Sequence, residues 1–450
     1  MKKKYSFMVM MLFFVILFAA CSNKGASTDD NNNNGEKEKE NERLFEIDAS
    51  LEGEITFWTF TPDIYIDIVK GFNKDYPNIK VKVVGMEGLE NQLQTTLAAG
   101  TGAPDVSQVE QGSFARFSTN DLLEDLLQPP YNAGQYKEYL TDYNWERWHS
   151  VDGKRLLGMP WDVTPGIFYY REDIYEQMGL PSDPEELGEF LQSEENVLDA
   201  AQTLAANDIY MWDWRDLPAV QYGDSLGYFD SDYNWTRNTD RMAELFDLVK
   251  SGIQLGWAPQ ICGLCSDEGR QLMMQGKIAS LAGGSFLARE LANVLPEQSG
   301  QWRATRLPLD VNAGLGGSSF VIPAQGNNKE LAWAFVQWMT LSEEAWKVFV
   351  EHSVQPSYTH ITALPWYQEL TNEYLGGQQD YKLYSSLEGN IPVKRMTPLD
   401  GSAWTIFIDS LNESINNNID SKTILNQIET DVMKELGSEI EKLKEELSKY

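Results

Sequence analysis

Between residues 54 and 106, the spacing of apolar residues changes repeatedly between a strand period and a helix period. Residues 54–58 are predicted to form a strand, and apolar and polar positions alternate in 79–83, which predicts a second one. Over 62–76 and 89–99 apolar residues recur at helical spacing, and residues 103–106 lead into a third strand. This order, with short turns, predicts right-handed βαβ units and a parallel sheet.

The carboxyl ends of these strands are candidate ligand positions, because ligands of open α/β sheets bind there. Trp58 ends the first strand, and Glu110 and Gln111 follow the third. Each of these residues also has a structural alternative to ligand binding. Trp58 would face the core, and residues 110–111 would form a solvated loop.

The rest of the chain continues to mix strands and helices. We predict a strand over 166–170 and a helical region over 184–206. A glycine-rich turn at 314–317 leads into another strand, and Asn328 begins an amphipathic helix. Residues 424–447 are predicted to be helical, either packed on their own domain or, alternatively, paired with a partner in a coiled coil.

The first residues have the pattern of an export signal. A lysine-rich start precedes an apolar run over 7–20, which is too short for a typical membrane span. We predict a signal peptide over 1–20, and Leu-Phe-Ala-Ala before Cys21 resembles a bacterial lipobox with Phe18 at the position that favours leucine. The resemblance implies a lipid on Cys21; the alternative is ordinary secretion. Residues 21–45 have few apolar positions and are predicted to be a disordered tether.

Composition narrows the function classes. The 450 residues, 42% of them hydrophobic, are enough for two or three domains with packed cores. The net charge of −32 disfavours binding to nucleic acid or to anionic lipid. Many of the 14 tryptophans stand beside polar residues, which suits a ligand that has both C–H faces and hydroxyls. For any single tryptophan, packing in a core or lobe is the better explanation.

Cys262 and Cys265 form a C-x-x-C pair, which outside the cytoplasm predicts a disulfide. A redox pair is the alternative, and zinc would need further ligands that the scattered histidines do not supply. A segment from Asp230 resembles the start of a calcium loop, but Trp235 and Arg241 replace its glycine and glutamate. We therefore predict no metal and no cofactor.

Five motifs follow one another along the chain: ITFW at 55–58, FNKDYPNIKV at 72–81, LAAGTGAPDV at 97–106, DGK…GMP…FYYRED over 152–173, and LAWAFVQWM at 331–339. In this order they resemble the family 1 extracellular solute-binding proteins of carbohydrate ABC transporters. The resemblance covers about residues 54–415.

This resemblance implies an α/β, two-lobe, periplasmic-binding-protein-like (Venus flytrap) fold with a multi-strand hinge and C-terminal helices. The N-terminal lobe would take 46–160 and 318–355, and the C-terminal lobe 161–317 and 356–450. The chain would cross between lobes near 161–165, 313–317 and 356–360, and ligand would bind between the lobes.

The resemblance also implies a function. The protein would be a binding protein and not an enzyme, held by lipid at the outer face of a bacterial, Gram-positive-type membrane. It would act as a monomer that delivers a carbohydrate, an oligosaccharide in our interpretation, to the transmembrane subunits of an ABC permease.

Several residues are candidate sugar contacts. Trp161 and Asp162 pair a ring with a carboxylate at the first crossing; the alternative is that Trp161 only wedges the hinge. Residues 212–214 combine Trp212, Asp213 and Trp214 in one cluster, which would otherwise stack within its lobe. Phe286 and Trp404 match positions where relatives place stacking rings, with Phe286 in place of the commoner tryptophan.

Two other functions fit the same residues. Tryptophans and carboxylates also serve glycoside hydrolases, which need two carboxyl groups at a set separation. The same fold with aromatic and acidic residues would also accommodate a polyamine or a peptide.

Overall fold

The computed structural model describes residues 43–447. The predicted signal peptide, Cys21 and nearly all of the predicted tether therefore lie outside the described residues. Within 43–447, no helix combines the length and apolar character needed to cross a bilayer.

Strands and helices alternate along the described chain. The strands are β1 (Gly53–Thr59), β2 (Ile79–Gly85), β3 (Val106–Glu110), β4 (Met159–Pro160), β5 (Gly166–Arg171), β6 (Ser280–Gly284), β7 (Trp302–Arg306) and β8 (Ser318–Val321). The α-helices are α1 (Pro62–Asp75), α2 (Leu89–Ala99), α3 (Gln111–Phe114), α4 (Asp142–Glu146), α5 (Glu172–Gln177), α6 (Pro184–Phe190), α7 (Glu194–Ala205), α8 (Leu217–Leu226), α9 (Asp240–Leu255), α10 (Asp267–Met274), α11 (Leu287–Val294), α12 (Lys329–Leu341), α13 (Glu343–Glu351), α14 (Thr359–Thr362), α15 (Pro365–Gln368), α16 (Asp380–Glu388), α17 (Asp400–Asn417) and α18 (Ser421–Leu447). Short 3-10 turns occur at Ala115–Phe117, Ala133–Tyr139, Pro296–Gln298 and Glu373–Leu375.

The first sheet has the strand order β2-β1-β3-β8-β4. β1 pairs in parallel with β2 and β3, which confirms the βαβ units predicted from the apolar spacing. β8 returns antiparallel between β3 and β4, so this sheet is mixed. Pro62 lies in the first turn of α1, where its missing N–H costs nothing, and Gly100 ends α2 in a left-handed conformation.

The second sheet has the order β6-β5-β7, with both pairs antiparallel. Helices α9, α17 and α18 pack against one another, and their buried apolar residues lie in one cluster with Phe168 and Tyr170 of β5. The C-terminal helix thus packs on its own lobe, as the simpler of the two sequence interpretations predicts.

Two buried clusters divide the molecule into two lobes. One cluster draws on residues between 45 and 161 and between 320 and 361, and the other on residues between 168 and 313 and between 399 and 440. A smaller cluster beside the second sheet adds residues up to 384. The lobe boundaries given above remain a prediction, and we note that Tyr358 and Ile361 pack with the first lobe.

Three backbone segments bond to one another where the lobes meet. The amide of Trp161 donates to the carbonyl of Ser318 at 3.1 Å, and that of Val163 donates to Gln355 at 3.1 Å. The amide of Gly166 donates to the carbonyl of Ala313 at 2.8 Å. The first crossing is therefore held on both sides by the other two.

Candidate functional site

A cavity of about 630 Å³ opens between the lobes. The first lobe lines it with the segment that follows β3, and the junction of the lobes lines it with residues 314–316. The second lobe adds Asp224, Gly227, Tyr228, Arg237 and residues between 394 and 404. Because both lobes line the cavity, a ligand there would contact both at once.

Glu110 and Gln111 line this cavity at the carboxyl end of β3, the position predicted from the strand order. The Glu110 carboxylate accepts a hydrogen bond from the Gly112 amide at 2.7 Å and caps α3. Burial raises the pKa of Glu110 to about 7, although the Gly112 amide and Arg147 oppose the shift. Gln111 accepts from the Tyr143 hydroxyl at 3.1 Å.

Two aromatic side chains of the second lobe also line the cavity. Trp404 lies in the second turn of α17, half-buried, with its ring centroid 6.5 Å from that of Phe407. Tyr228 follows Gly227 after the end of α8. Tyr228 was not predicted from sequence, and its Gly-Tyr turn carries no signal that separates it from the other tyrosines.

Arg237 lies beneath Tyr228 and fixes its position. The Arg237 side chain is 0% exposed, and its guanidinium carbon lies 3.7 Å from the Tyr228 ring centroid and 4.8 Å from that of Phe407. Its Nε donates to the Gly227 carbonyl at 2.9 Å. A buried cation between two rings makes this wall of the cavity rigid.

Arg147 connects the cavity to the crossing segments. Its Nη1 donates to Gln111 Oε1 at 3.0 Å and to the Gly316 carbonyl at 2.9 Å. Its Nη2 donates to the Asp162 carbonyl at 2.6 Å. Its guanidinium carbon lies 4.7 Å from the ring centroid of Trp148. The sequence analysis missed Arg147, because a place beside an aromatic residue does not by itself predict burial.

The glycine-rich turn is explained by this arginine. Gly317 has φ of +118°, and a Cβ atom there would lie 2.7 Å from Arg147 Nη1 and 2.7 Å from the Asp162 carbonyl oxygen. A side chain at this position would therefore push the arginine away from the crossing segments.

The segment between α16 and α17 spans both lobes and supplies Lys394 to Pro398 to the cavity. Arg395 donates to Glu146 in the first lobe at 2.8 Å, while Lys394 donates to the Asp224 carbonyl in the second. Met396 packs on the first cluster and Leu399 in the second. We call residues 391–399 the strap.

Trp161 does not line the cavity, and we correct the expectation that it stacks on a ligand. It is 3% exposed, with its ring centroid 5.9 Å from Tyr65, 5.5 Å from Phe320 and 5.2 Å from Phe349. The four rings form a packed core, so the structural alternative describes Trp161.

Asp162 holds the crossing segments together. Its Oδ1 accepts from the Ser318 amide at 2.6 Å, and burial raises its pKa to about 6. It does not line the cavity, so its carboxylate serves the junction in this structure and not a ligand.

The cluster at 212–214 lies away from the cavity, which corrects the prediction of a second-lobe sugar platform. Trp212 is buried, with its ring 5.4 Å from that of Phe168. Asp213 accepts from the Gly263 amide at 3.0 Å, and burial raises its pKa to about 6. Trp214 is partly exposed but does not line the cavity.

Asp213 thereby anchors the loop that contains the C-x-x-C pair. Cys262 and Cys265 form a disulfide in this loop, just before α10. No cluster of three or more potential metal-ligating side chains occurs in residues 43–447.

Phe286 and Trp58 also lie outside the lining. Phe286 is 38% exposed and packs on Gly284 near Thr164, which in turn adjoins Gly316 of the cavity. It is thus a neighbour of the cavity. Trp58 is half-buried against the first cluster, in agreement with its core-facing alternative.

A second pocket of about 650 Å³ adjoins the cavity in the first lobe. It is formed at the carboxyl ends of β1 and β2, with the exposed ring of Phe60 beside Glu87 and Glu90. Glu110 and Ser113 line both spaces. These two residues therefore form a wall that the two spaces share.

Glu388 is a buried acid at the junction of the lobes. The Asn144 amide group donates to its carboxylate and, at 3.3 Å, to the Ser357 carbonyl. Burial raises the pKa of Glu388 to about 8, against the opposing effects of Arg147 and Asn144.

We expect Glu388→Gln to flatten the pH dependence of stability. Since the folded state keeps this proton up to about pH 8 while the unfolded chain loses it near its ordinary, lower pKa, stability falls as pH rises between the two values. The glutamine variant lacks this loss, so at pH 8 it should exceed the wild type by roughly 2–4 kcal/mol, and at pH 5 by much less. Urea unfolding at both pH values measures the difference.

The pKa of Glu110 is raised as well, so Glu110 continues to contribute to the pH dependence of stability in the Glu388→Gln variant. A wild-type slope that Glu388→Gln leaves unchanged would contradict the prediction. Glu373→Gln, on an exposed side chain, is the matched control.

Known proteins with similar sequences and folds complete this description. A model of the family described as bacterial extracellular solute-binding protein matches residues 67–372. The arabinooligosaccharide-binding protein of Bacillus subtilis is 29% identical over 317 residues, which cover 65% of this chain and 70% of that protein.

Solved structures show the same two-lobe fold. An extracellular solute-binding protein of family 1 has a TM-score of 0.74 at 21% identity, over 85% of this chain and 99% of its own. The galacto-N-biose-/lacto-N-biose I-binding protein of the ABC transporter from Bifidobacterium longum has a TM-score of 0.69 at 20% identity, over 86% of this chain and 98% of its own.

Proposed function

The chain belongs to the bacterial extracellular solute-binding protein family, and from that premise we propose that its interlobe cavity captures an oligosaccharide for an ABC importer. One observation carries the proposal: the rings of Tyr228 and Trp404 on the second lobe share a cavity with Glu110 and Gln111 on the first. Rings accept the C–H faces of a sugar, and the polar groups accept or donate to its hydroxyls.

The size of the site favours an oligosaccharide over a single sugar. The cavity of about 630 Å³ lies within the range of pockets that bury drug-sized ligands. The adjoining pocket with Phe60 extends it along the first lobe. That a relative is named for binding arabino-oligosaccharides supports the same ligand class.

Binding and lobe closure are linked in this proposal. A ligand that contacts both lobes is bound more tightly when they are closed, so it shifts the population towards the closed form. Delivery to the permease would follow from recognition of that closed form.

The competing functions find less support. The family consists of solute-binding proteins, so the chain is a binding protein and not a glycoside hydrolase. A polyamine is disfavoured because Arg116 and Lys394, which donate to neutral oxygens, line the cavity and would repel a polycation.

The lipid anchor and the monomeric state belong to this proposal as well. Membership of an extracellular family supports an export signal, and the lipobox-like sequence before Cys21 supports acylation there. Incorporation of labelled palmitate into the wild type but not into Cys21→Ser tests the anchor, and sedimentation tests the monomer.

We expect Trp404→Ala to weaken oligosaccharide binding at least tenfold, about 1.4 kcal/mol, because it removes a ring from the cavity wall. Calorimetric titration with linear arabino- and xylo-oligosaccharides of two to six units measures the effect. Stability should change little, since the ring is only half-buried.

Trp214→Ala is the control, because this partly exposed tryptophan lies outside the cavity. Equal affinity of Trp404→Ala and wild type would remove the second-lobe wall from the site. Failure of every oligosaccharide, neutral or acidic, to bind the wild type would refute the carbohydrate assignment.

A further inference from the structure

The charge of the cavity is the reverse of the charge of the chain. The sequence has 68 acidic residues and 36 lysines and arginines, yet four basic and three acidic side chains line the cavity. A basic cavity in so acidic a protein points to a ligand with a complementary charge.

The three acidic side chains are satisfied from within the protein. Asp224 pairs with Arg237 Nη2 at 3.4 Å. Asp400 accepts from the Thr397 hydroxyl at 2.5 Å and from the Thr397 amide at 3.1 Å. Glu110 accepts from the Gly112 amide.

Two of the four basic side chains have carboxylate partners. Arg237 is fully covered and pairs with Asp224, and Arg395 Nη2 pairs with Glu146 Oε2 at 2.8 Å. These two arginines support the walls of the cavity and leave little charge for a ligand.

Arg116 and Lys394 differ from them. Arg116 Nη1 donates to the neutral amide oxygen of Asn91 at 2.6 Å, and Lys394 Nζ donates to the backbone carbonyl of Asp224. Neither forms an ion pair with any carboxylate of residues 43–447, although Lys394 partly opposes the rise in the pKa of Asp400 that burial causes. One cation thus belongs to the first lobe, and the strap holds the other against the second.

We propose that the ligand is an oligosaccharide that carries a carboxylate, such as a uronic acid unit, and that Arg116 and Lys394 bind this group. The inference rests on the proposed function and names the substrate class of the same cavity. A carboxylate held from both sides gains charge-assisted hydrogen bonds from both lobes and favours their closure. A monoanion fits better than a dianion, because three carboxyl side chains line the same space.

The test is a competition on the purified full-length protein. The probe is a pool of neutral arabino- and xylo-oligosaccharides mixed with their glucuronic-acid-substituted counterparts, captured on immobilised protein and quantified by mass spectrometry. We expect at least tenfold enrichment of the substituted members, reduced by methyl esterification of the uronate and by raising the salt concentration.

Arg116→Gln and Lys394→Met should each reduce the enrichment of the substituted over the neutral members towards unity. Lys382→Met, on the exposed face of α16, is the matched control and should keep the wild-type preference. The variants change one exposed or half-exposed charge each, so the fold should survive them.

The outcomes separate this inference from the proposed function. Equal or preferential capture of neutral oligosaccharides would contradict the inference that the ligand carries a carboxylate, and the proposed oligosaccharide-binding function would be unaffected. Capture of no oligosaccharide, neutral or acidic, would refute the proposed function and this inference with it.

Discussion

Replacing Trp161 by alanine should lower the free energy of unfolding by about 3–5 kcal/mol, while the protein that remains folded binds its ligand with nearly wild-type affinity. Trp161 packs against Tyr65, Phe320 and Phe349 and is 3% exposed. Truncation would leave an empty space among these rings, which α1, β8 and α13 can fill only in part.

Chemical denaturation and calorimetric titration of the same variant measure the two quantities separately. Trp161→Phe keeps most of the aromatic contact and should lose clearly less stability than alanine. The contrasting variant is Trp404→Ala, for which affinity falls and stability holds. A stable Trp161→Ala protein that no longer binds would restore Trp161 to the ligand site.

This contrast shows why tryptophans were hard to assign from sequence. Trp161, Trp212 and Trp404 all stand beside polar residues, so their local patterns are the same. Only tertiary packing separates them: Trp161 and Trp212 lie inside the two lobe cores, and Trp404 lies at the cavity. Local spacing reports which face of an element is apolar, not which element will cover it.

The parts that sequence predicts well depend on short-range order. The helix and strand periods from 54 to 110 predict the parallel strands, and the rule for strand ends predicts that Glu110 and Gln111 face the cavity. Most residues of the second-lobe wall of the cavity were not predicted from the sequence. Tyr228, Arg237 and Lys394 come from segments that are distant in sequence and meet only after folding.

Buried cations are the second group of residues that could not be predicted from the sequence. Arg147 and Arg237 are both buried, although arginine is usually exposed. Each lies over aromatic rings and donates to backbone carbonyls of loops that carry cavity residues. Such residues act on the ligand through the backbone and rings that they position.

Arg147→Met should therefore reduce both stability and ligand affinity. The methionine fills part of the space but leaves the carbonyls of Asp162 and Gly316 and the side chain of Gln111 without this donor. A fully buried acceptor that stays unpaired costs about 1–3 kcal/mol, and since these three acceptors are part-buried we expect a total loss of about 3 kcal/mol in the free energy of unfolding. Affinity should fall about tenfold, because Gln111 loses its orientation in the cavity.

Arg147→Lys and Arg395→Met separate the reasons for this effect. Lysine keeps the charge but lacks the planar fork that reaches Gly316 and Asp162 together, so it should recover only part of the loss. Arg395→Met breaks a partly exposed ion pair with Glu146 and should cost less than about 1 kcal/mol. If Arg147→Lys matched the wild type in both urea unfolding and titration, the charge alone would suffice. The hydrogen bonds of the planar guanidinium, which join the crossing segments to Gln111, would then not be what fixes the shape of the cavity.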